Sequence, residues 1–261
     1  VKTVDGNEIT HDGKYTVSGW WEAYIASHQV KFKPELFAQF VGKDELVFDI
    51  GANRGGMTWA FRQLGANVIA VEPLHQIVPD RVKEFHYMFA GDDHVMLLPI
   101  AVSPDPEVTL TMPNIGSPHW IVTTASQKWV KQSAHKHLYS KSVVKKVVQA
   151  ITLDDLVEKF GLPRFIKVDV EGYDGEVIST LHHPVPALNM EFHKDWLWNN
   201  WAAIRHLVTI GSYEYNYVLD NRGDMVLQDW VDGSTLMRVM ESNLTESGKG
   251  SWGDIYARLK H

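Results

Sequence analysis

The chain has 261 residues, a net charge of −7 and no cysteine. That length can bury a large core, and one domain over 1–261 is expected rather than two. The lack of cysteine excludes disulfides and thiolate-bound zinc and suits a reducing compartment. No apolar run of 18 residues and no secretory signal pattern occurs, so a cytoplasmic protein without a membrane span is expected.

In chain order, residues 1–14 are polar and turn-rich. Residues 1–41 are expected to form an N-terminal helical cap, in which 17–41 read as helical, with Pro34 opening a second helix over 35–41. "LVFDI" (46–50) is a short buried strand followed by a helix near 56–64. "NVIAVEP" (67–73) is a second strand, stopped by Pro73. A polar helix near 79–91 leads to "HVMLLPIAV" (94–102), a third strand. Residues 104–150 form an insertion, in which "TASQKWVKQSAHKHLY" reads as a helix and "KSVVKKVVQAI" as a strand. "TLDDLVEKFG" (152–161) is a helix capped by Thr152 and ended by Gly161. "FIKVDV" (165–170) and "ALNMEF" (187–192) are a fourth and a fifth strand, with a helix at "DGEVISTLH" between them. "YNYVLDNRGDMVL" reads as a hairpin turning at Asn221-Arg222-Gly223. Strands alternating with helices predict an α/β fold, a doubly wound and mostly parallel sheet closed by an antiparallel hairpin.

In such a sheet the loop after the first strand sits at the carboxyl ends of the strands, where ligands bind. Here it reads "DIGANRGG". Gly51, Gly55 and Gly56 allow close approach of a ligand to the backbone. The pattern is nearly the dinucleotide fingerprint, but Asn53 stands where a glycine would let a pyrophosphate approach. Asp49 beside the loop suits an amine-bearing ligand better than a phosphate. Glu72 ends the second strand, where an acidic side chain accepts hydrogen bonds from ribose hydroxyls. A ribose-containing, amine-bearing cofactor without a pyrophosphate is S-adenosylmethionine. Asp49, Gly51, Asn53 and Glu72 are its expected contacts, with Ser103 after the third strand on the adenine side. A nicotinamide cofactor is the competing reading, and Asn53 argues against it.

"VFDIGANRGG", "TLDDLVEKFGLPRFIKVDVEGYDGEVI" and "LNMEFH" together resemble the FkbM family of S-adenosylmethionine-dependent methyltransferases, over roughly residues 35–195. The "IKVDVEGYDGEV" block after "TLDDL" is the more specific part. The resemblance implies a Rossmann-like class I methyltransferase fold. It also implies methyl transfer to an oxygen, commonly a hydroxyl of a sugar, a glycan or a secondary metabolite.

Strand alternation points to the chemistry independently. In "FIKVDVEG", Lys167, Asp169 and Glu171 project to one side; in "LNMEFH", Asn189, Glu191 and His193 do. Two roles compete for this group. Asp169, Glu191 and His193 could ligate Mg or Mn, which would lower the pKa of an acceptor hydroxyl. Without a metal, His193 or Asp169 is a general base and the others, Glu171 among them, bind substrate hydroxyls. The blander alternative has Glu171 capping the next helix, Lys167 paired with Asp169, and His193 solvated.

Residues 108–150 contain no Asp or Glu but carry Lys128, Lys131, Lys136, Lys141, Lys145 and Lys146. His119, His135, His137, Trp120, Trp129 and Tyr139 lie among them. In an acidic chain this asymmetry marks an acceptor-recognition surface, with Lys128, Trp129 and Lys131 as candidate contacts. A solvated helix with packed tryptophans is the alternative. Nucleic acid is a less favoured acceptor, because the whole-chain pI is about 6.0. A non-catalytic glycan- or nucleic-acid-binding module would leave Asp49, Gly51 and Glu72 without a task. Trp20, Trp21, Tyr24 and His28 either cover the site or pack a helix on the sheet.

Overall fold

The computed structural model describes residues 10–11, 15–16, 34–114, 122–140, 142–220, 224–244 and 251–260. The expected helix over 17–33 with Trp20, Trp21, Tyr24 and His28, the turn at 221–223, and His119, Trp120 and Lys141 lie outside them. Two short strands, β1 (Thr10–His11) and β2 (Tyr15–Thr16), pair with each other. Helix α1 (Pro34–Phe37) opens on the expected proline.

Among the described residues the central sheet has seven strands. They are β3 (Leu46–Ile50), β4 (Asn67–Val71), β5 (Val95–Leu98), β9 (Phe165–Val168), β10 (Ala187–His193), β11 (Tyr213–Leu219) and β12 (Trp252–Leu259). Their spatial order is β11-β12-β10-β9-β3-β4-β5. The neighbours from β5 through β10 pair parallel, and β12 runs antiparallel to both β10 and β11. The chain winds outward from β3 to β5 and resumes at β9 on the other side of β3. That reversal between β3 and β9 is the switch point where such sheets bind ligands.

Both faces are covered, as a parallel sheet requires. Phe48, Ile50, Ile166, Val168, Leu188 and Met190 meet helices α5 (Leu153–Phe160), α6 (Asp174–Ile178), α7 (Leu197–Ile210) and α8 (Gly233–Asn243). On the opposite face Val47, Val68 and Phe165 meet α1 and α2 (Gly56–Gln63), and Phe40 stacks on Tyr256. Helix α3 (Pro79–Phe89) adds Phe85 near Ala70. This second face also carries a buried polar row. Asp49, Lys167, Asn189, Tyr256 and Asn216 are consecutive cross-strand neighbours, and none is more than 5% exposed.

The expected cap of α5 is present as a full capping box. Thr152 accepts from the Asp155 amide, the Asp155 carboxylate accepts from the Thr152 amide, and Gly161 ends the helix. Such a cap contributes about 1 kcal/mol.

Three expectations change in detail. The strand over 94–102 breaks at Pro99, which has no amide to donate. Its second part, β6 (Ala101–Val102), leaves the main sheet for a three-stranded one, ordered β6-β8-β7, with β7 (Glu107–Pro113) and β8 (Val143–Ile151). The insertion helix is two short pieces, α4 (Gln127–Gln132) and a 3-10 turn over Ala134–Tyr139. Ser133 between them is extended, and the Ala134 amide donates to Asp195 instead. The antiparallel pair at the C-terminal end is present, but β11 pairs along its length with β12. The residues after the expected turn return to β11 at single points, as where the Val226 amide donates to the Tyr217 carbonyl and Val231 bridges Tyr215. Among the described residues no helix is long and apolar enough to cross a membrane.

Candidate active site at the strand ends

The β3–α2 loop turns on Gly51, whose φ is 84°. A side chain there is barred twice. The left-handed backbone disfavours it, and a β-carbon would overlap the Asp169 carbonyl oxygen. The amides of Gly51 and Ala52 both donate to Val71, tying the loop to β4. Glu72 completes the brace. One carboxylate oxygen accepts from the Asn53 amide at 2.8 Å and the other from the Leu74 amide at 2.9 Å. His75 adds a contact at 2.9 Å to the Asn53 carbonyl.

A cavity of about 440 Å³ opens above this loop. Asn53, Glu72, Val102 and Tyr173 line it, and Lys167, Asp169 and Glu171 form its far wall. The volume suits a ligand of nucleoside size. The apolar wall of Leu74, Val102, Val108 and Leu110 can take a base, and Glu72 lies where a ribose would meet it. The residues present therefore fit the expected cofactor.

Two expected contacts stand behind this wall. Asp49 is fully buried under the loop and accepts from Thr58 Oγ1 at 2.6 Å, which anchors α2. Burial pushes its carboxyl above the usual range, against the pull of Lys167 and Thr58. Ser103 is buried too; its hydroxyl lies 3.3 Å from the Tyr173 hydroxyl and accepts from the Asp105 amide. It supports Tyr173 in the cavity wall.

At the other end carboxylates crowd together. Asp169, Glu171 and Glu191 bring one oxygen each to within 4.8 Å of one another, a spacing that could hold a metal ion. Glu171 occupies the place in this group that the sequence reading gave to His193. His193 sits at the end of β10, with Nε2 3.5 Å from Glu191 Oε1, and its ring packs on Trp129, His135 and Trp252. It is half-buried, not solvated. Burial opposes its protonation, but Glu191, Asp195 and Asp169 together raise its pKa.

Burial, then Glu191, Asp169 and Asp174, push Glu171 well above the carboxylate range. Burial and Asp169 raise Glu191, partly offset by His193. Asp174 is raised by burial, Glu191 and Asp169; Asp254, from β12, is raised to about 7, first by burial. Lys167 is a cation set among them. Its ammonium lies 2.9 Å from Asp169 Oδ2, and Asp169 and Asp49 outweigh the cost of burial to raise its pKa.

The insertion contributes differently from expectation. Lys128 and Lys131 stand on α4, outside the cavity wall, with the Lys128 ammonium 4.6 Å from the Trp198 ring centre. Trp129 between them is 1% exposed and packs on Trp196 and His193. Its hydrophobic surface is used by the core of the insertion. Glu171 does not cap α6, whose N-cap is Tyr173. Lys167, Tyr173 and Trp252 were not expected in the cavity wall. For Lys167 the strand alternation was a usable signal. Trp252 lies on β12, remote in sequence from every motif.

Comparison with known proteins agrees with the family resemblance. The model of the methyltransferase FkbM domain matches residues 49–219, well over half of the chain. The FkbM methyltransferase structure from Methylobacillus flagellatus KT is 11% identical, over 96% of this chain and 56% of that one, with a TM-score of 0.45. A TehB-like SAM-dependent methyltransferase from Corynebacterium glutamicum ATCC 13032 is 9% identical, over 94% and 98% of the two chains, with a TM-score of 0.45. Precorrin-6y C5,15-methyltransferase from Geobacter metallireducens GS-15 is 10% identical, over 87% and 85%, with a TM-score of 0.42. No curated protein matches the chain. The family model spans the glycine loop, most of the cavity wall and the carboxylate group, and the chain belongs to the FkbM family of S-adenosylmethionine-dependent methyltransferases.

Proposed function

We propose that the protein methylates a hydroxyl oxygen of a sugar, a glycan or a secondary metabolite, assisted by a divalent metal. One observation carries this reading: Asp169 and Glu171 line the same cavity as Asn53 and Glu72, and Glu191 converges on them. S-adenosylmethionine supplies an electrophilic methyl group on a sulfonium. Asn53 and Glu72 orient the cofactor at one end of the cavity. Asp169, Glu171 and Glu191 would hold Mg or Mn, which would make the acceptor hydroxyl more acidic. Three anions crowded together favour a cation, since each raises the cost of ionising the next. Lys128 and Lys131, outside the cavity on α4, would attract an acidic group on the acceptor.

A second reading rests on His193. Its imidazole, beside Glu191 and half-buried among aromatic rings, can take the hydroxyl proton directly. Activity would then rise with pH through a value above the ordinary 6.5, because the raised imidazole must first lose its proton.

A screen of sugars, glycans, small phenols and RNA with methyl-labelled cofactor tests both readings, with chelator and with added Mg or Mn. The first expects label on a hydroxyl, lost with chelator and restored by metal. Full turnover in chelator transfers the role to His193, and label on RNA alone overturns the acceptor class.

A further inference from the structure

The turn that carries Glu171 is held from outside its own strand. Glu171 and Gly172 are left-handed in succession, with φ of 55° and 78°. For glutamate that conformation is disfavoured by its β-carbon, and it persists only where the surroundings over-determine it. Three hydrogen bonds do so here. Thr124 Oγ1 donates to the Glu171 carbonyl at 2.8 Å, and Trp196 Nε1 donates to the Gly172 carbonyl at 3.0 Å. The Gly172 amide donates to Asp174 at 3.2 Å. The six-membered ring of Trp129 then fills the space that a β-carbon on Gly172 would need.

Two of these groups come from the insertion. Thr124 exchanges backbone hydrogen bonds with Thr111 of β7, which fixes it to the three-stranded sheet. Its hydroxyl also accepts from the Ser126 amide at 2.9 Å, and Ser126 caps α4, the helix of Trp129. One hydroxyl therefore joins the cap of α4 to the Glu171 carbonyl.

We infer that Thr124 and Trp129 are positioning residues, through which the insertion sets the Glu171 carboxylate beside Asp169 and Glu191. The inference rests on the proposed role of those carboxylates. It assigns the insertion a part in building the site, separate from any contact with an acceptor.

The test uses the whole chain and three substitutions. Thr124→Val removes the hydroxyl at nearly constant volume, Thr124→Ser keeps it, and Trp129→Phe shortens the wedge. Crystal structures of the Val and Phe variants should show the Glu171 carboxylate withdrawn from the other two, and the Ser variant should keep it in place. Calorimetric titration with Mn²⁺ alone should show affinity about tenfold weaker in Thr124→Val, the usual cost of losing a support for a metal ligand. That loss should vanish in a Glu171→Gln background, because the effect runs through one carboxylate. An unmoved Glu171 in both the Val and Phe variants overturns the inference. So does a Mn²⁺ loss that simply adds to that of Glu171→Gln. If the wild-type chain takes up no Mn²⁺, the metal reading falls, and the crystal structures alone decide the positioning.

Discussion

The two ends of the cavity are built on opposite electrostatic terms. At the end proposed for the cofactor each carboxylate has donors of its own. Glu72 holds two backbone amides and Asp49 holds Thr58. At the end proposed for the acceptor Asp169, Glu171, Glu191 and Asp174 face one another, with Lys167 as a buried cation beside them. The first arrangement ties down the loop it belongs to, although burial still raises the Asp49 carboxyl. The second costs stability, and burial deepens the cost, because the donors Lys167, the Gly172 amide and His193 offset the repulsion only in part. A cost of that kind is tolerated where carboxylates serve a reaction.

The largest effect should come from the cofactor end. Gly51→Ala forces a β-carbon into the Asp169 carbonyl and strains the turn, about 1–3 kcal/mol for the backbone alone. Melting temperature and calorimetric binding of S-adenosylmethionine should both collapse. Retained cofactor affinity would mean that the loop does not need this close approach, and the contrast between the ends would weaken.

At the acceptor end the signs should separate. Glu191→Gln removes a buried charge whose ionisation is already disfavoured. Methyl transfer should fall by about a hundredfold, within the range for loss of an acid–base or charge-stabilising group. The melting temperature should rise, and cofactor affinity should hold. A lower melting temperature would show that Glu191 is a structural anchor like Glu72, and the comparison would fail.

The smallest effect is a slope. Asp254 is raised from 3.8 to about 7 in the folded chain, and Asp49, Asp174, Glu171 and Glu191 are raised with it. Between those limits the folded state binds more protons than the unfolded one. Their contribution is therefore fully present below the ordinary carboxylate values and is lost as pH rises through about 7. Thermal melts should show greater stability near pH 5.5 than near pH 8 (roughly, away from the acid limb). Asp254→Asn should flatten part of that slope. A slope unchanged in the variant would place the buried proton elsewhere.

What was legible in the sequence follows the same division. The cofactor end is assembled from a strand, a glycine loop and the end of the next strand. Its parts lie close along the chain, and residue type fixes their geometry. Thr152 and Gly161 bounded α5 for the same reason. The acceptor end draws on β9, β10, β12 and the insertion. Alternation brought Asp169, Glu171 and Glu191 toward one crevice, but it could not say that Thr124 and Trp129 would hold the turn between them. Trp129 among lysines read as a ligand surface, whereas packing buried the ring and left the lysines outside. Strand β12 passed unnoticed because Gly253, Asp254 and Arg258 obscure its alternation. Trp252 and Asp254 went unread with it.

The position of β12 has a consequence for how the chain is made. It follows β11 in sequence, yet it lies between β10 and β11, which do not pair with each other. During synthesis the five parallel strands from β5 through β10 can pair once residue 193 has left the ribosome. Strand β11 then has its bonds to Val226 and Val231, but no full-length partner, until Trp252–Leu259 emerges. Until that moment β10 presents a raw edge, and the growing chain is open to pairing with others. This eight-residue strand closes that edge and secures β11 in one event.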